Sequence, residues 1–215
     1  MAQVLWNAKN AEVSIGNTKM PYASFGHGSR IFIILPGLSD GLATVRGKAL
    51  LLAKPYAPFF DRFTVYMFSR KDEMPSGYTI RAMAADQAEA LRQLGIEKAS
   101  VMGVSQGGMI AQYLAIDHPD LVERLVLAVT APRVNEIIKG CISRCIGFAV
   151  QGNHKALMID TAEKSYSEAY LRKYRKMYPM IGTSDVANGY AKYDLNRDGV
   201  IDSKDVAYVL VSWGE

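Results

Sequence analysis

The chain has 215 residues, room for one medium domain with a small appendage. Apolar residues make up 49% and charged residues 21%, which excludes a disordered chain. No apolar run approaches the about 18–20 residues of a membrane span. Met1–Asn10 lacks the basic cluster and apolar stretch of a signal peptide, so the expectation is a cytoplasmic protein without a membrane partner. The net charge of +4 is unevenly spread. From Thr183 onward six acids face three bases, whereas residues 1–182 hold 22 bases against 15 acids, a net +7. The bases are scattered except for Arg172, Lys173, Arg175 and Lys176, which read as a solvated helix face. No stacking aromatics interleave with a basic groove, so no nucleic-acid partner is expected.

In chain order, Glu12–Ile15 and Lys19–Ala23 flank the pair Gly16-Asn17 and read as a β-hairpin. Ile31–Leu35 is a continuous apolar run, suited to a strand buried on both faces, and Pro36-Gly37 ends it. A helical stretch from about Val45 to Phe60 is broken near Pro55 and Pro58. Thr64–Phe68 is a second buried strand. Thr79–Leu94 has helical spacing, with Gly95 as its stop. Ala99–Val104, a helix over Gly108–Asp117, and a strand over Val122–Val129 follow. This alternation predicts an α/β fold: a mostly parallel sheet with helices on both faces.

Beyond Pro132 the strands stop. Val134–Val150, Lys155–Ile159 and Glu163–Tyr178 read as helices, an inserted lid over about residues 133–182. Cys141 and Cys145 fall at i, i+4 in this stretch and read as buried thiols. The composition shifts after Gly182, which sets the expected domains at 1–182 and 183–215.

Gly103-Val104-Ser105-Gln106-Gly107 fits G-x-S-x-G, with a strand before it and a helix after it. The turn between them must be sharp, with no room for side chains at Gly103 and Gly107. It lifts the Ser105 hydroxyl to the sheet's edge, where the helix N-terminus favours a developing oxyanion. A second oxyanion donor is expected from the loop Leu35–Gly41, where the N–H of Leu38 would pair with that of Gln106.

With these pieces in place, residues 22–182 resemble the N-terminal two-thirds of an α/β-hydrolase-fold protein of the esterase/lipase-like group. The resemblance is carried by the loop Pro36–Gly41, Phe68-Ser69-Arg70 with Tyr78-Thr79-Ile80, Asp86–Gly95, Met102–Met109 and His118–Leu127. It implies Ser105 as nucleophile, the backbone of Leu38 and Gln106 as oxyanion hole, and the helical segment as a lid. It also implies an acid and a histidine after two further strands, which this sequence does not show. His27 reads as a turn residue, and His118 falls at the far end of the helix after the turn. His154 is left as the candidate base, with Asp160 or Asp117 to orient it. The expectation is a serine hydrolase acting on a small ester or acyl substrate without a catalytic cofactor, weakened by the missing acid and histidine. The strand Val122–Val129 is expected to leave an apolar edge open to self-association unless the tail covers it.

The tail carries a motif of its own. Asp194, Asn196, Asp198, Asp202 and Asp205 stand at positions 1, 3, 5, 9 and 12 of an EF-hand loop, with the Val200 carbonyl at position 7 and Gly199 at position 6. This spacing wraps hard oxygen ligands round a Ca²⁺ ion. A loop followed by a helix, with Asp at position 12, resembles a dockerin repeat and implies a cohesin-like partner. Thr183–Ala187 partly echoes Ser203–Ala207, giving one and a half repeats. The alternative function is therefore a non-catalytic, calcium-binding docking protein, extracellular if the tail is functional.

Overall fold

A computed structural model describes residues 5–37, 44–75 and 77–180. The chain divides into two compact units, Met1–Pro132 and Arg133–Glu215. The sequence-based boundary near Gly182 and the whole 183–215 segment lie outside the described residues.

The first unit is built on a six-stranded mixed sheet in the order β1-β2-β4-β3-β5-β6. The strands are β1 (Lys9–Ile15), β2 (Thr18–Gly26), β3 (Arg30–Leu35), β4 (Phe63–Phe68), β5 (Ala99–Val104) and β6 (Val122–Ala128). β1 and β2 form the hairpin expected around Gly16, whose φ of 56° is the left-handed value a two-residue turn requires. β2 also runs antiparallel to β4, and from β4 onward all neighbours are parallel. The apolar runs at 31–35 and 64–68 are thus inner strands covered on both faces. Ile33, Ile34 and Leu35 are at most 1% exposed.

On one face, Ala23, Phe25, Ile34, Val65 and Met67 pack against α1 (Ala49–Ala53) and the turns after it. Pro55 and Pro58 keep that segment short, because proline supplies no N–H to continue an α-helix; Lys54–Phe59 winds as a 3₁₀ turn instead. The expected helix starts four residues late, at Ala49, and the prolines account for the tightening of its second half. On the other face lie α2 (Ile80–Gln93) and α3 (Gln106–Asp117). The Thr79 hydroxyl caps α2 by accepting from the Ala82 N–H at 3.0 Å. The buried Gln87 of α2 donates to the Met20 sulfur of β2 at 3.4 Å, which fixes the side of the sheet that α2 covers.

Among the described residues of the second unit there are helices and no strand, as the sequence reading expected. α4 (Glu136–Val150), α5 (His154–Ser165) and α6 (Glu168–Tyr174) are followed by a 3₁₀ turn over Arg175–Met180. Asn153 and Ser167 cap the N-termini of α5 and α6. Cys141 and Cys145 are free thiols on α4, half-buried rather than buried as the sequence suggested: they lie on the more covered face of α4, but no described residue of that helix is fully buried. Burial still pushes the Cys145 thiol upward, with the nearby Asp160 carboxylate adding to it.

Candidate active site

Ser105 stands between β5 and α3 with φ 53° and ψ −120°. A non-glycine residue at positive φ is strained, and such strain persists only where neighbours over-determine it. Three hydrogen bonds do so here. The Ser105 N–H donates to the Ala128 carbonyl at 2.9 Å, and the Ser105 carbonyl accepts from the Gly108 N–H at 2.9 Å. The same carbonyl accepts from the Thr130 hydroxyl at 2.7 Å. Ser105 itself is half-buried.

The glycines around it answer to close approach. A Cβ at Gly103 would lie 2.4 Å from the Gly107 carbonyl oxygen, and a Cβ at Gly107 would lie 2.0 Å from that of Leu35. The start of α3 therefore presses against the end of β3 with no side chain between them. α3 begins at Gln106, two residues earlier than the sequence reading. The Gln106 N–H belongs to the first helical turn, whose donors have no acceptor within the helix.

Gly37 lies against the serine: a Cβ there would be 3.2 Å from the Ser105 Cβ. Gly37, two residues after the end of β3, thus lies beside the nucleophile position. Leu38, the other expected oxyanion donor, lies outside the described residues. Beneath this junction Arg70, 8% exposed, donates from one nitrogen to the Pro36 carbonyl at 2.8 Å and to the Gln106 side-chain oxygen at 2.7 Å. Next to Arg70, Lys71 pairs with Asp86 at 2.9 Å, and Asp86 also accepts from the Tyr78 hydroxyl. Burial, then the Asp86 carboxylate, drives the Tyr78 phenol well above its ordinary range, so it stays a donor.

The histidines of the first unit stand elsewhere. His27 precedes β3 and is 3.3 Å from Asp61, at the end of the parallel strands opposite to Ser105. His118 follows the 12-residue α3, whose length at about 1.5 Å per residue separates it from the turn. It lies 3.4 Å from Arg92. Asp117 is held by two Arg81 hydrogen bonds of 2.6 and 2.7 Å, which lower its pKa. His154 opens α5 in the second unit, and its side chain lies outside the described residues. Asp160 on the same helix pairs with Lys164 and with Arg144. Both candidate orienting acids are thus engaged by cations.

The calcium ligands expected at Asp194, Asn196, Asp198, Val200, Asp202 and Asp205 lie outside the described residues. Among the described residues, no three His, Cys, Asp or Glu side chains gather as a metal site, and no helix is long and apolar enough to cross a membrane.

A strand order of this kind, with a strained serine between the fifth strand and its helix, defines a class. The alpha/beta hydrolase fold family matches residues 31–178, and the chain belongs to that family. Among curated relatives, a fluoroacetate dehalogenase of a Burkholderia species is 32% identical over 121 residues, 54% of this chain and 38% of that protein. The 3-oxoadipate enol-lactonase 2 of Acinetobacter baylyi is 29% identical over 120 residues, 54% of this chain and 43% of that protein. The chain thus spans less than half the length of these relatives. Among solved structures, MGS-M2, an alpha/beta hydrolase enzyme from a Medee basin deep-sea metagenome library, superposes with a TM-score of 0.66 at 17% identity. That match covers 93% of this chain and 76% of the other and bears on the fold alone.

Arg70 and Thr130 have no role in the sequence reading, although Arg70 is legible there in one respect. A cation two residues after an apolar strand, at the end where the serine turn lies, is a candidate for burial with a partner.

Proposed function

We propose that this chain acts as a serine hydrolase on a small ester or acyl compound, with Ser105 as the nucleophile. The observation that carries the reading is the strained Ser105 conformation, held by hydrogen bonds to Ala128, Gly108 and Thr130 at a half-buried strand–helix turn. The names of two relatives add a lactone and a haloacid to the small molecules handled by this family. In the reaction the Ser105 oxygen bonds to the substrate carbonyl carbon. The carbonyl electron pair moves onto oxygen, opposite the N–H groups of Gln106 and Leu38. Collapse of that oxyanion expels the alcohol, and water then releases the acid and restores the hydroxyl. A base that takes the serine proton contributes roughly 10²–10⁴ in rate. With His27 and His118 held elsewhere, turnover is expected to be slow.

The test is a fluorophosphonate probe with intact-mass readout. The Ser105 oxygen bonds to phosphorus, fluoride leaves with the P–F electron pair, and the hydroxyl proton passes to solvent or a base. One adduct that disappears in Ser105→Ala supports the reading; no adduct, or one that survives the substitution, rejects it. In the same assay His154→Ala slows labelling if that histidine takes the proton.

A second reading concerns the tail and stands on the spacing of Asp194, Asn196, Asp198, Asp202 and Asp205. We propose that this loop binds Ca²⁺. Calorimetry with Ca²⁺ is expected to give binding heat that an Asp194→Ala/Asp198→Ala chain lacks; equal heats reject it.

A further inference from the structure

We infer that Cys141 and Cys145 form a two-thiolate site for a soft, thiophilic ion of the Cu(I) class. The two residues stand one turn apart on α4, both half-buried and both free thiols. Side chains at i and i+4 share one face of a helix, with about 5–6 Å between their Cβ atoms. A disulfide needs that separation to shrink to about 3.5–4.5 Å. An intact helix therefore keeps this pair too far apart to bond to each other, yet near enough for both sulfurs to close on one ion between them. Burial first, then Asp160 and in smaller measure Cys141, raise the Cys145 thiol, so the two sulfurs sense one another.

The donor set decides which ions fit. Among the described residues no group of three or more His, Cys, Asp and Glu side chains is placed to hold an ion, so the pair works alone. Structural Zn²⁺ almost always takes four ligands, and Ca²⁺ and Mg²⁺ take oxygens. Thiolates select soft ions such as Cu(I). The neighbouring carboxylate, Asp160 of α5, is a hard donor already engaged by Lys164 and by Arg144. Two thiolates on a monovalent cation leave a single negative charge, and a half-buried charge needs a partner. Arg144 is in place for it. It lies on α4 between the two cysteines in sequence and donates to the Cys141 sulfur at 3.8 Å. Binding is then an exchange: each S–H bond breaks, its electron pair bonds the ion, both protons pass to the buffer, and nothing is oxidised or reduced.

Competition between the full chain and bicinchoninate for Cu(I), in ascorbate and without oxygen, tests the inference, because the coloured chelate fades as the protein takes the ion. One Cu(I) per chain is expected. Groups that surround a metal's ligands typically contribute 10–100-fold in affinity. Arg144→Met is accordingly expected to bind about tenfold more weakly, and Cys141→Ser and Cys145→Ser each more than about a hundredfold. No uptake by the parent overturns the inference. Equal uptake by the parent and either serine variant overturns it as well, since histidines or methionines are then the ligands. An affinity of the parent that is the same in concentrated urea also overturns it, because the helix then does not build the site. Where a serine variant does not fold, alkylation of the parent carries the test. Iodoacetamide is expected to modify both thiols of the copper-free chain and neither thiol once one equivalent of Cu(I) is bound; alkylation that copper does not slow is decisive against the site.

Discussion

The Thr130 hydroxyl donates to the carbonyl of Ser105 at 2.7 Å, and in doing so ties the end of β6 to the turn between β5 and α3. Two residues earlier the Ala128 carbonyl accepts from the Ser105 N–H, so the serine backbone is gripped on both sides by one stretch of chain. Val129 between these anchors has φ 46°, a left-handed value that is costly for a β-branched residue. Strain at Ser105 is thus matched by strain at Val129, and Thr130 is a link that holds both.

Replacing Thr130 by Val removes the hydroxyl donor and keeps the shape. The Ser105 carbonyl retains its bond from the Gly108 N–H, so the expected loss is modest, about 1 kcal/mol in urea unfolding. Probe labelling of Ser105 is expected to slow in Thr130→Val and to stay near the parent rate in Thr130→Ser. Equal midpoints for all three proteins would show that the bond holds nothing.

A sharper contrast lies among the glycines. Gly107→Ala drives a methyl group to 2.0 Å from the Leu35 carbonyl oxygen, backbone against backbone, with no flexible side chain to yield. The expected cost is roughly 3 kcal/mol or more. Gly95 ends α2 at φ 69° with nothing within 4 Å of its missing Cβ. Gly95→Ala meets only the conformational penalty of about 1–2 kcal/mol. Urea midpoints are expected to rank parent, Gly95→Ala, Gly107→Ala; a reversal would mean that the β3–α3 contact can relax.

Most of the sheet was legible because its inner strands are unbroken apolar runs, such as Ile31–Leu35, bounded by Pro-Gly or by helical spacing. The serine turn was legible because glycine is the one residue that fits at Gly103 and Gly107. Periodicity could not tell that the helix over 45–60 would tighten into a 3₁₀ turn, since that depends on which N–H groups Pro55 and Pro58 remove. The roles of Arg70 and Thr130 were hidden for another reason. Arg70 meets Pro36 and Gln106 across 34 and 36 residues, and Thr130 meets Ser105 across 25. Such pairings follow from the strand order, which local spacing does not encode.

β6 presents a different consequence of that order. Among the described residues it pairs with β5 alone, and Leu125, Val126 and Leu127 are 37%, 47% and 45% exposed. An apolar strand with an open edge is a template for pairing with another chain. Light scattering is expected to show a mass that rises with protein concentration, and Val126→Lys is expected to suppress the rise. A monomer at all concentrations would mean that this edge is covered.

The second unit offers a pH test. Arg175, in the turn after α6, reaches Glu163 of α5 at 2.7 and 2.9 Å and Glu168 of α6 at 2.6 and 2.8 Å. Arg175, and then the Tyr178 hydroxyl, lower the Glu163 carboxyl from its ordinary 4.5 to about 2. Because the folded value is the lower one, the network contributes its full stability above pH 4.5 and loses it as the pH falls toward 2. Melting temperatures of the parent and of Arg175→Met are therefore expected to differ by a constant amount from neutral pH down to about 5 and to converge below it. The groups remain partly open to solvent, so 1 M salt, which shortens the screening length to about 3 Å, is expected to narrow the difference at neutral pH. A gap that persists unchanged at pH 2 would mean that Arg175 stabilises the turn through packing of its stem rather than through its charge.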